Sequence, residues 1–191
     1  MSGFLSILVS AALVNNLVLV QLLGVSSLFR GFARIADAAI LAMFTAVVLI
    51  VTALLNYLLF TFVLTPLNIT ALQLVSLVVI TGTCTLVLQK KLADWFPGLS
   101  RHHLLTLFMV AGNSAVVGVS LLTVRASYSL SETMAYSLGA ALGFGAILIF
   151  FAALRERLAT SPVPPPFKGL AIELISAGLA AMALLGLAGV I

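Results

Sequence analysis

Residues able to do chemistry are few in this chain, and most of them interrupt apolar runs. Asn15, Asn16 and Gln21 lie in one such run, and Gly112-Asn113-Ser114 with Gly118 lies in another. An amide in hydrocarbon costs free energy unless its donors and acceptors are paired. Two readings satisfy that demand. The amides hydrogen-bond neighbouring helices as glue, or each helix is broken at the amide and its freed backbone groups face a protein-lined site. Glu173 is the only acid well inside an apolar run. An intramembrane carboxylate is a candidate ion ligand or proton carrier, whereas snorkelling or pairing with Lys168 or Arg157 is the plainer account. His102 and His103 are adjacent, so they face different sides of a helix and make no metal site alone. Cys84 is the single cysteine, which excludes an internal disulfide. No hydrolase elbow, phosphate loop or dinucleotide fingerprint is present.

These groups sit in a chain of 191 residues that is 63% hydrophobic and 7% charged. Soluble domains carry roughly a quarter charged residues, so this chain cannot cover itself with a solvated surface. An all-α integral membrane protein is expected. The net charge of +4 does not indicate nucleic acid, because the cations occupy short gaps between apolar runs and form no basic face. The expected medium is membrane lipid. The start, Met1-Ser2-Gly3-Phe4, lacks a basic n-region and does not read as a removable signal peptide.

A helix needs about 20 apolar residues to span the hydrocarbon core. Six windows meet that length, at roughly 4–23, 38–64, 69–88, 104–124, 135–154 and 169–190. Together they predict one transmembrane domain over 1–191 with six helices. Arg30, Arg34, Lys90, Lys91, Arg101, Arg155, Arg157 and Lys168 fall in the odd-numbered connections, and Arg125 alone falls in an even one. Positive-inside logic puts the odd connections in the cytoplasm and both termini outside, which is the periplasm for a bacterial inner membrane.

Three spans per half force the halves, about 1–90 and 101–191, into opposite orientations. The amides recur in the first helix of each half, so two inverted three-helix repeats are predicted, with helices one and four broken near Asn16 and Asn113. Gly139 and Gly143 form a small-xxx-small pair that permits close helix packing. Ser161-Pro-Val-Pro-Pro-Pro-Phe167 reads as a stiff strut holding two helix ends apart; a plain terminator and a docking surface are equally open.

Longer motifs carry a resemblance. Leu13-Val-Asn-Asn-Leu-Val-Leu-Val-Gln-Leu-Leu-Gly24, Gly112-Asn-Ser-Ala-Val-Val-Gly-Val-Ser-Leu-Leu122, Phe151-Ala-Ala-Leu-Arg-Glu-Arg-Leu158 and Val163-Pro-Pro-Pro-Phe-Lys-Gly-Leu-Ala-Ile172 resemble the RnfA/NqrE family, and the Rnf branch more closely around the proline-rich loop. The resemblance covers the whole chain. It implies a six-helix subunit of an Rnf-type complex, which couples electron transfer across the membrane to Na⁺ or H⁺ movement. It also implies a sister subunit of opposite topology, of the Rnf E type, beside other Rnf subunits. A [2Fe–2S] cluster held by two cysteines from each sister is the family's cofactor.

This chain departs from that pattern at the ligands. The family cysteine two residues past Leu-Leu-Gly is Ser26, and the one after the helix-four asparagine is Ser114. Serine is nearly isosteric with cysteine, yet its alcohol is far harder to deprotonate and binds iron less readily. Loss of the cluster and serine ligation of a weakened one both stand at this point. Asn15, Asn16, Gly24, Gly112, Asn113 and Gly118 are then expected to line the inter-subunit site, with Ser26 and Ser114 at the former ligand positions. For Ser26 to reach Ser114, residues 24–32 must dip back into the protein as a re-entrant segment. Catalysis would belong to the assembly, since flavin and nicotinamide chemistry needs soluble domains absent here. Two further readings remain: a self-contained small ion or solute transporter, and a cluster-less structural partner.

Overall fold

The computed structural model describes residues 2–28, 35–95 and 114–189, and every regular element among them is helical. The first helix, α1 (Ser2–Val9), loosens into a π turn (Ser10–Val14). A short helix α2 (Val25–Leu28) follows an irregular stretch. Next come α3 (Ile35–Leu59), continued by a π turn (Phe60–Leu64), and α4 (Gln73–Trp95). The second half holds α5 (Ser114–Arg125), α6 (Leu130–Thr160) and α7 (Leu170–Leu185).

Among the described residues two helices are long and apolar enough to cross a bilayer, Ile35–Leu64 with 30 residues and Leu130–Thr160 with 31. At 1.5 Å per residue each is about 45 Å long, against a hydrocarbon core of about 30 Å. Shorter apolar helices occupy Gly3–Val14, Gln73–Leu88, Ser114–Arg125 and Leu170–Leu185. Each hydropathy window contains described apolar helix, but only two of these helices have spanning length. The first is cut short because its backbone leaves the helix at Asn15, where φ is −97° and ψ is 42°. The apolar part of α4 stops where Gln89-Lys90-Lys91 begins. Residues 104–113 of the fourth window lie outside the described residues.

Helices α3 and α6 form the central pair, with α1 and its π turn packed on α6 and α5 packed on α3. Their shared core holds Leu49 and Val48 of α3, Val116 and Val119 of α5, and Phe144, Leu148 and Phe151 of α6, together with Leu17 and Val18 from the irregular stretch. Gly139 and Gly143 make the α1–α6 contact possible. A Cβ on Gly139 would meet the Leu8 carbonyl oxygen, and one on Gly143 would meet that of Ala12 at 2.5 Å. The small-residue pair therefore lets two backbones touch. α6 starts at a capping box: the Glu132 N–H donates to Ser129 Oγ at 3.4 Å, and the Ser129 N–H donates to the Glu132 carboxylate at 2.9 Å.

The proline-rich connector does not hold helix ends apart. Gly169, at φ +78°, turns the chain back, and a bidentate ion pair joins the end of α6 to the first turns of α7. Arg155 Nε and Nη2 donate to Glu173 Oε1 and Oε2 at 2.7 and 2.6 Å. Glu173 is thus paired with Arg155, in place of the Lys168 or Arg157 expected from sequence. The planar Arg155 guanidinium matches a carboxylate with two parallel hydrogen bonds, which the Lys168 ammonium cannot, and Arg157, two residues further along α6, faces another side of that helix. Both side chains are mostly buried, 13% and 17% exposed, and both carboxylate oxygens are engaged by the guanidinium.

Candidate functional site: the broken first helix and its seat on α5

The site is built on a helix that cannot continue. Asn15 ends the π turn with its N–H on the Ser10 carbonyl at 2.7 Å, and its side-chain Nδ2 donates to Ser10 Oγ at 3.1 Å. Asn16 is buried, 1% exposed. Its Oδ1 accepts the Val18 and Leu19 N–H groups at 3.0 and 3.2 Å, and its Nδ2 donates to the Ala12 carbonyl at 2.8 Å. One amide thereby serves backbone groups on both sides of the break. The helix is broken at the amide, as the second reading from sequence has it, and Asn16 pairs with its own segment and not with a neighbouring helix. Asn15 is exposed on the surface of the chain.

The segment then reverses. Leu22 and Gly24 both have positive φ, at 56° and 75°. Leu22 bears the left-handed strain that a glycine avoids. The Gly24 N–H donates to Ser114 Oγ at 3.0 Å, a bond between residues 90 apart. Leu23 lies against Gly118, whose hypothetical Cβ would collide with the leucine methyl. Gly118 is therefore the seat of the segment on α5. Within α2, Ser27 and Leu28 turn inward while Ser26 faces out, and Ser114, the first residue of α5, is exposed as well. The structure thus brings Gly24 to Ser114 and Leu23 to Gly118, with Ser26 two residues past Gly24 on the exposed side of α2. Gly112 and Asn113 lie outside the described residues.

One functional-looking amide was not singled out in the sequence. Asn56, buried in α3, donates to Ser120 Oγ of α5 at 3.1 Å, and that hydroxyl donates to the Val116 carbonyl at 3.3 Å. This is the cross-helix glue expected of Asn16. Its signal was present, since a lone asparagine in the 38–64 run needs a partner inside protein.

The donor set here does not suit an iron–sulfur cluster. Such clusters are held by thiolates. The chain's one cysteine, Cys84, is on α4, and the site offers two alcohols, one already accepting a backbone N–H. Among the described residues no group of three or more His, Cys, Asp or Glu could hold a metal ion.

Among the described residues every regular element is helical, and two helices are long and apolar enough to cross a membrane. Residues 4–191 match the family model described as "Rnf-Nqr subunit, membrane protein", and the chain belongs to that family. Similar relatives are named as the A-type component of the ion-translocating oxidoreductase complex. That of Cereibacter sphaeroides is 40% identical over 190 residues, covering 99% of this chain and 98% of its own. That of Pseudoalteromonas translucida is 38% identical over 192 residues, covering 100% and 99%. That of Pasteurella multocida is 37% identical over 192 residues and covers both chains fully.

Proposed function

We infer that this chain is a membrane component of an Rnf-type ion-translocating oxidoreductase complex, in which it supports electron transfer across the membrane coupled to Na⁺ or H⁺ movement. The observation that carries this is similarity to the A-type relatives at 37–40% identity along essentially the entire chain. On this reading catalysis resides in the assembly, because flavin and nicotinamide chemistry needs soluble domains.

Six spans in two inverted halves are part of the proposal, and helix adjacency supports them. Of the six apolar windows, the first packs on the fifth (α1 on α6), the fourth on the second (α5 on α3), and the second and fifth on each other (α3 on α6). Exchanging the halves maps the first contact onto the second and the third onto itself, as a two-fold relation between halves requires. The exposure of the polar residues Asn15, Ser26 and Ser114 supports a protein partner over them, because lipid cannot satisfy their remaining hydrogen-bonding capacity. We assign that place to an opposite-topology sister subunit. The cation distribution supports cytoplasmic odd connections and periplasmic termini in a bacterial inner membrane.

The test is a tagged chain expressed at native level. Its purification should bring down the sister and the redox subunits, and deletion should abolish donor-driven ion uptake into inverted membrane vesicles until the gene is restored. A homo-oligomer that transports an ion unaided would overturn the assignment.

A further inference from the structure

We propose that the seat of the broken helix is an iron-free joint, in which Ser114 fastens the returning segment through the Gly24 N–H and no [2Fe–2S] centre is ligated by this chain. The proposal rests on the reading of the chain as a family member paired with a sister, since only that pattern makes Ser26 and Ser114 ligand positions.

Three observations carry it. The first is the chemistry at the two ligand positions. Both groups are alcohols, and the Ser114 oxygen already serves the Gly24 N–H at 3.0 Å. Ligation of iron calls for a deprotonated, anionic donor, as thiolate is for these clusters. Alcohols give up their proton far less readily than thiols, and a low-dielectric setting disfavours the anion further.

The second observation concerns what holds the segment. Leu23 fills the surface of Gly118, Asn16 saturates the backbone across the break, and Gly24 is buried. With the N–H of Gly24 paired as well, the return is closed by ordinary packing and hydrogen bonding. It needs no metal cross-link to stay folded.

The third is the lack of a substitute thiolate. The chain has one cysteine, and it lies on α4, outside the returning segment and α5. Two alcohols in place of two thiolates remove half of the soft donors that a four-ligand cluster uses. Electrons crossing the complex therefore do not pass through ligands contributed by this chain.

The experiment measures iron and acid-labile sulfide per chain, with the electron paramagnetic resonance spectrum of the reduced sample, in the complex purified through a tag on this chain. Wild type is compared with S26A and S114A. Equal iron, equal sulfide and an unchanged spectrum in all three are expected. Loss of two iron and two sulfide per chain in either variant, with loss of a spectral component, would overturn the proposal. S26A keeps the readout decisive if S114A fails to assemble, because the Ser26 side chain is exposed.

The joint has its own readout. Hydrogen exchange at the buried Gly24 amide should accelerate severalfold in S114A, because its acceptor is removed. Equal exchange would refute the joint. Co-purified subunits report on the family reading separately: a missing sister sinks that reading, whereas serine-dependent iron sinks this one.

Discussion

Helices α6 and α7 are neighbours in sequence and almost opposite in packing. α6 buries twelve residues, among them Phe144, Leu148 and Phe151, while α7 buries none. Both are apolar enough for hydrocarbon, so hydropathy does not separate them. What separates them is shape. On α6, Gly139 and Gly143 admit the backbone of the first helix, and the phenylalanines fill the space towards α3. On α7, an added Cβ at Gly178 or Gly186 meets nothing within 4 Å. α7 rests on the bundle through Ala177, Ala180, Ala181 and Leu184 and is pinned at one end by Glu173 on Arg155. Small residues in a membrane helix thus mean close packing only where another backbone is present to use them.

The comparison breaks most readily at Gly143. Gly143→Val puts side-chain atoms where the Ala12 carbonyl and Asn16 Nδ2 lie, and overpacking of this kind should cost about 3 kcal/mol or more. Thermal unfolding in detergent should show a large loss of the folded protein. A wild-type melting curve would mean that the α1–α6 contact is loose.

The ion pair is the next largest. Arg155→Gln leaves Glu173 mostly buried without its cation, a loss of about 2 kcal/mol once the residual exposure of both side chains is allowed for. Arg155→Gln with Glu173→Gln together should recover part of it, read by the same melting experiment and by protease cleavage between α6 and α7. A double variant worse than the single one would show that the pair does more than compensate charge.

Asn16→Ala removes the acceptor of two N–H groups and the donor to Ala12, and leaves buried backbone groups unpaired. A cost of about 1–2 kcal/mol is expected. Hydrogen exchange should accelerate at Val18 and Leu19 and stay unchanged in α3. Equal protection would indicate that water or another group replaces the amide.

Gly178→Ala is the smallest and the sharpest contrast with Gly143. No neighbour obstructs the methyl, and alanine is the better helix former, so stability should move by no more than about 0.5 kcal/mol. If assembly with other subunits fails in this variant while the isolated chain melts normally, a partner backbone sits on that face.

How legible the site was depended on the kind of interaction. The break at Asn16 was readable because adjacent amides in hydrocarbon demand partners. That Asn16 would find them within its own segment was not, since Ala12, Val18 and Leu19 lie as near in sequence to a helical asparagine as to a broken one. The pattern Ser129-Leu-Ser-Glu132 announces the start of α6 at sequence level and could have been used. The partner of Glu173 was misread because proximity in sequence favoured Lys168, four bonds along a flexible stem. The turn at Gly169 brings in Arg155 from the preceding helix instead.

Composition and residue order alone determined that the chain is helical, apolar and destined for a bilayer, because an unpaired backbone in lipid leaves few other structures. They also located the break in the first helix and the serines at 26 and 114. Tertiary structure alone decided that Gly24 meets Ser114, that Leu23 seats on Gly118, that Asn56 reaches Ser120, and that Gly139 and Gly143 touch a backbone while Gly178 touches none. Each of these is a contact between residues far apart in sequence, fixed by which helix faces meet, and hydropathy records the medium of a residue without naming its neighbour.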